Sequence, residues 1–149
     1  MTKDVLISIK STQSGENGEN QIETINPGLF YRKNNKVYVK YEEVIEGFDK
    51  TVGNMIKITD DCVEVSKKGV ISNHMIFNID EKVQTSYESP FGTINLVINT
   101  DMLKIEETEK LLHVELKYSL EYDGQIISTN TITINVTPKG DEMFHLLQD

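Results

Sequence analysis

The chain has no alanine and no tryptophan, and only one cysteine, one arginine and three prolines in 149 residues. A lone cysteine, Cys62, excludes an internal disulfide, so the thiol content does not point to an oxidising compartment. Missing alanine beside abundant Ile, Thr and Val favours sheet over helix. The single arginine, Arg32, set against many Ile, Lys and Asn residues, reads as the bias of an AT-rich genome and carries little functional weight. No apolar run approaches the roughly 18 residues of a membrane helix. The opening "MTKDVLISIKST" alternates and turns polar too early for the apolar core of a secretory leader. A cytoplasmic location is therefore expected, and an outer-membrane barrel, which requires export, is not. The formal net charge of −9 opposes binding to nucleic acid, which needs a basic surface to release counterions.

What is present is period-two alternation. In "LHVELKYSLEY", Leu112, Val114, Leu116, Tyr118, Leu120 and Tyr122 fall on one face, and His113, Glu115, Lys117, Ser119 and Glu121 on the other. Val5, Ile7 and Ile9 share a face, as do Val37, Val39 and Tyr41. The same holds for the pairs Ile56 and Ile58, and Val63 and Val65. Ile71, Met75, Phe77 and Ile79 line up likewise, and so do Ile94, Leu96 and Ile98. Asn34-Asn35, Asp60-Asp61, Asp80-Glu81-Lys82 and Asp123-Gly124 read as hairpin turns between consecutive strands. "SGENGEN" at 14–20 reads as a longer mobile loop, and "EGFDKTVGN" at 46–54 as another. Only the end, "DEMFHLLQ", suggests a helix, with Met143, Leu146 and Leu147 on one face; residues 141–149 are a tail or a short helix.

Residues 1–149 thus form one all-β domain. It is read as an antiparallel up-and-down meander of about 8–10 strands whose apolar faces require it to close or fold on itself. A closed barrel, which removes exposed edges, is expected, and a two-sheet sandwich is the alternative. Ser89-Pro90-Phe91-Gly92 has the residues of a type I turn at the barrel rim, and a bulged bend is the alternative. Tyr87 then points inward near that rim.

Catalytic and metal signatures are absent from the pattern. His74 and His113 lie opposite apolar faces and should point outward, and His145 is in the tail. Cys62 follows Asp60 and Asp61, an acidic setting that raises a thiol pKa. No nucleophile elbow, phosphate loop or metal-ligand spacing occurs, so neither metal nor cofactor is expected. What remains is a small set of inward polar groups. The face bearing Ile126, Ile132, Ile134 and Val136 also carries Ser128 and Asn130, while Tyr41, Tyr87 and Tyr118 bring hydroxyls to apolar faces. Convergent polar groups in apolar surroundings are the usual make-up of a small-molecule site.

The segments "DVLISIKSTQ", "YVKYEE", "KKGVISNHMIF", "YESPFG" and "YSLEYDGQ", in that order and spacing, make the chain resemble the YwiB-like family of uncharacterised bacterial proteins over nearly its whole length. The resemblance implies a calycin-type (lipocalin-like) β-barrel and no established activity. Lipocalins proper carry a Gly-x-Trp, and avidin-like sites stack their ligand on tryptophans; this chain has no tryptophan. Fatty-acid binders hold a carboxylate with buried arginine and tyrosine, and Arg32 shares a face with Phe30 without a clear direction.

The expected function is a non-enzymatic cytoplasmic barrel binding a small, partly apolar ligand through Tyr41, Tyr87, Tyr118, Ser128 and Asn130. One alternative is a small lyase- or isomerase-like enzyme using Tyr87 or Tyr118 as acid or base. Another is a structural or interaction protein docking through its tail. Nucleic acid and membrane are not expected partners.

Overall fold

The alternation is realised as ten strands wound in sequence. The computed structural model describes residues 3–15, 18–44, 47 and 50–140. The strands are β1 (Asp4–Gly15), β2 (Gly18–Lys33), β3 (Lys36–Val44), β4 (Thr51–Ile58), β5 (Cys62–Lys68), β6 (Ser72–Asn78), β7 (Lys82–Ser89), β8 (Gly92–Glu107), β9 (Leu112–Tyr122) and β10 (Gln125–Pro138). Each pairs antiparallel with its sequence neighbours, and β10 returns to β1 in a register running from Val5↔Pro138 to Ser14↔Thr129. The result is a closed barrel, the all-β up-and-down architecture expected from the sequence.

The turns follow from side chains that tolerate a left-handed backbone. Asn34 and Asn35 have φ of 54° and 63°, and Asp123 and Gly124 have 52° and 80°. Two consecutive positive φ values match the right-handed twist of the flanking strands in a two-residue hairpin. Ser89 pairs with Gly92, so Pro90 and Phe91 form a two-residue loop. The Ser89 hydroxyl accepts a hydrogen bond from the Phe91 amide at 3.2 Å. This stretch is a hairpin turn and not a bulged bend.

Inside lie Val5, Ile7, Phe30, Val37, Val39, Ile56, Val63, Phe77, Ile98, Leu112, Val114, Leu116, Ile134 and Val136, all buried. Several expectations need correction. "SGENGEN" is not a long loop, because β1 and β2 run to a Gly15↔Gly18 pair. Residues 46–54 are not all loop either, since β4 starts at Thr51. Ile79 lies beyond the end of β6 and is 40% exposed. Ile126 leaves the inner face because a bulge at Ile127 shifts the register between Ile126 and Ser128. Ile94 and Tyr122 keep their inner-face register but are exposed. Both sit at the barrel rim beside hairpins, Ile94 two residues after Gly92 on β8 and Tyr122 at the end of β9 next to Asp123-Gly124. The short helix expected in 141–149 lies outside the described residues.

Designating as upper the end at which β1 finishes, the lower opening is crossed by charge. Arg32 sits 5.6 Å from the Phe30 ring centroid and ion-pairs with Glu107 of β8. Three strands (β1, β10 and β9) separate β2 from β8 on that side of the ring, so this pair bridges the opening.

β2 and β3 share only the register from Leu29↔Lys40 to Lys33↔Lys36, after which β2 continues upward paired with β1 alone. The split begins at Gly28. A Cβ there would lie 2.4 Å from the Lys40 carbonyl oxygen and 2.5 Å from Ile7 Cδ1. Gly28→Ala must therefore push the strands apart and should cost about 1–3 kcal/mol in urea unfolding. Gly53→Ala, whose Cβ would meet nothing nearer than 3.8 Å, should stay within about 0.5 kcal/mol of the parent.

Candidate functional site

Carried past the apolar residues of each strand, the alternation brings a polar layer to the upper inner wall. Tyr41 is buried and pairs in register with Asn54, which is also buried. Glu43, Asn54 and Lys67 follow on the same face of β3, β4 and β5. Lys67 Nζ donates to Glu43 Oε1 at 2.5 Å and to Asn54 Oδ1 at 2.9 Å, and Asn54 Nδ2 donates to Glu43 Oε1 at 3.1 Å. β9 lies five strands from β4 in the ring, directly across the barrel. There Tyr118 packs on Phe77 with ring centroids 4.8 Å apart. Asn130 Nδ2 donates to Ser128 Oγ at 3.1 Å. Thr100, opposite Tyr118 in register, is buried with its hydroxyl unpartnered.

Of the five residues expected to bind ligand, Tyr118, Ser128 and Asn130 come together on β9 and β10. Tyr41 stands on the facing wall. Tyr87 reaches the rim, in register with Asn73, and is 36% exposed. Sequence reasoning missed Glu43, Asn54, Lys67 and Thr100. The first three were within reach, each lying two residues beyond an inward hydrophobic or aromatic residue on its strand: Tyr41, Ile56 and Val65. Burial pushes the Tyr118 hydroxyl up to about 12. Burial, with help from Glu43, raises Tyr41 as well. Burial thus favours the neutral form of both phenols.

A further opening lies at the seam. Where β2 leaves β3, a cavity of about 690 Å3 with a mainly apolar lining forms beside Pro27, Gly28 and Leu29 of β2. Register identifies its floor. Leu29, Lys40, Met55 and Ser66 lie in one row across β2–β5, and Glu42, Gly53 and Lys68 in the next. Tyr41 pairs in the alternate, inward row, so these side chains belong to the outer face. Gly53 deepens the floor because it has no side chain to fill it. Tyr41 and Asn54 complete the lining. Tyr41 is thus the one residue of the expected set on this cavity.

The two strand histidines do face outward. His74 is exposed, 3.5 Å from Glu64. His113 is half-buried, with Nδ1 2.6 Å from Asn135 Oδ1 and Nε2 2.8 Å from Glu115 Oε1. The bond to Asn135 and then that to Glu115 raise the His113 pKa, while His113 lowers that of Glu115. The Cys62 thiol is raised chiefly by burial, then by Glu64, Asp61 and Glu81. Among the described residues, no three His, Cys, Asp or Glu side chains gather to hold a metal, and no helix is long and apolar enough to cross a membrane.

Fold and site together define a closed ten-stranded antiparallel barrel with a cavity of small-molecule size opening at one seam. The chain belongs to the family described as a domain of unknown function (DUF1934), which matches residues 7–134. It is 24% identical over 131 residues to the uncharacterised β-barrel protein YwiB of Bacillus subtilis (strain 168), covering 87% of this chain and 90% of that protein. The crystal structure of the ywiB protein from Bacillus subtilis superposes with a TM-score of 0.81 at 20% identity, over 91% of this chain and 92% of that one. That structural likeness bears on the fold alone.

A raised histidine pKa in the folded state stabilises the protein below the unfolded pKa, and the contribution is lost as pH rises through the folded value. His113→Gln should therefore lower Tm most at about pH 6. The deficit should shrink as pH is raised to about pH 9. A Tm difference independent of pH would assign His113 a packing role only.

Proposed function

We propose that this calycin-type barrel is a non-enzymatic protein that binds a small, partly apolar ligand in the cavity at the β2–β3 seam. The observation that carries this reading is the cavity itself. At about 690 Å3 with a mainly apolar lining, it falls within the range of small-molecule sites, roughly 300–1,000 Å3. Pro27, Leu29 and Met55 offer apolar contact, and Lys40, Glu42 and Ser66 offer a few polar groups. A cytoplasmic setting accords with the free, half-buried Cys62, whose raised pKa keeps it a thiol.

A second location for the ligand has its own support. The unpartnered Thr100 hydroxyl lies opposite Tyr118, with Ser128 and Asn130 alongside on β10. A buried hydroxyl without a partner costs about 1–3 kcal/mol, which a polar ligand atom would relieve.

Native mass spectrometry on protein purified without refolding tests the reading. The expected result is a discrete adduct that is lost on denaturation. Gly53→Leu should abolish it by filling the seam cavity, with Tm within a few degrees of the parent. An adduct that survives Gly53→Leu but is lost in Thr100→Val would move the ligand to the inner layer.

A further inference from the structure

The outer face that carries the seam cavity differs in charge from the rest of the molecule. The register places Lys33 beside Lys36, then Tyr31, Tyr38, Lys57 and Glu64 in one row. The next rows are Leu29, Lys40, Met55 and Ser66, then Glu42, Gly53 and Lys68. Five lysines stand against two glutamates in these rows, a formal +3, in a chain whose net charge is −9.

Glu64 is committed to Lys57 at 3.4 Å and to His74 at 3.5 Å. The two lysines that line the cavity are differently placed. Lys40 rests over the Tyr31 ring, 5.5 Å from its centroid. Among the described residues, neither Lys40 nor Lys68 has a carboxylate within ion-pair distance. Among the described residues, Glu42 is the one acid on the lining. An apolar floor of Pro27, Leu29 and Met55 is thus bordered by two cations without ion-pair partners.

We propose that the ligand of the seam cavity is a small amphiphilic anion. Its apolar body lies over Pro27, Leu29 and Met55, and its anionic head lies between Lys40 and Lys68, with Ser66 offering a hydroxyl. This rests on the assignment of the seam cavity as the binding site. A cation would meet the lysines unshielded, and a neutral apolar molecule would leave them unused. An exposed charge contact is worth little, about 0.2–1 kcal/mol. Two lysines therefore supply preference for the anion, while the apolar floor supplies most of the affinity.

Three octyl probes separate the possibilities: octanoate, octan-1-ol and octylammonium, each titrated below its aggregation concentration. Backbone amide shifts in 15N-labelled full-length protein give the affinity and the location. Octanoate should bind tightest, about fivefold better than octan-1-ol at low salt, with the largest shifts at Gly53, Met55 and Ser66 and octylammonium weakest. The preference should shrink as salt is raised and should fall to within about twofold in the double variant Lys40→Gln, Lys68→Gln. Equal binding of all three at the seam, or tightest binding of octylammonium, would overturn the anionic class and leave the cavity assignment standing. Shifts confined to Thr100, Tyr118 and Asn130, or no binding by any probe, would overturn the cavity assignment and this inference with it.

Discussion

The pairing of β10 with β1 is the contact on which the rest of the structure depends. An open ten-stranded meander would leave two unpaired edges and one apolar face without cover. Closing the ring satisfies both ladders at once and turns every inward hydrophobic residue towards an opposite wall. Phe77 on β6 can pack against Tyr118 on β9 only because the sheet has curled round on itself. The same closure fixes which polar groups face one another, placing the Glu43–Asn54–Lys67 network across the barrel from Tyr118, Ser128 and Asn130.

Closure is not uniform, and the exception is where the chemistry concentrates. β1 pairs with β2 along the whole length of β1, whereas β2 and β3 part above Leu29. Gly28 permits the close approach that precedes the split, and Gly53 leaves the floor beyond it open. Two glycines on different strands, one relieving crowding and the other leaving space, shape one cavity. The lower end contrasts with this seam, because the Arg32–Glu107 pair and the Phe30 ring cross the opening there.

Charge reinforces the asymmetry. The chain is acidic, yet the outer rows that carry the seam cavity on β2–β5 hold five lysines against two glutamates. A small anion reaching these rows meets a local excess of lysine. Whole-chain charge therefore describes long-range behaviour and says little about a particular site. Membership of the DUF1934 family and the likeness to YwiB supply the fold without an activity, so the physical character of the cavity carries the functional reading.

The sequence by itself determined the antiparallel all-β meander, the inward residues of the lower core and most of the tight turns, because these depend on local periodicity and on the backbone preferences of Asn, Asp and Gly. It bounded the strand count at about 8–10 and left Ser89–Gly92 open between a turn and a bulged bend. It also held Glu43, Asn54 and Lys67 in plain alternation, two residues past the hydrophobic or aromatic residues that signal each strand. Only the tertiary structure decided the fates of Ile94, Ile126 and Tyr122. Burial there depends on where the barrel rim falls and whether a bulge intervenes, and no local pattern records either. The seam cavity was equally out of reach. Its floor is a row of residues from four strands brought abreast by register, and its depth comes from the point at which two paired strands separate. Lys40 and Lys68 are 28 positions apart in the sequence, and they border one site only because the sheet sets their strands side by side.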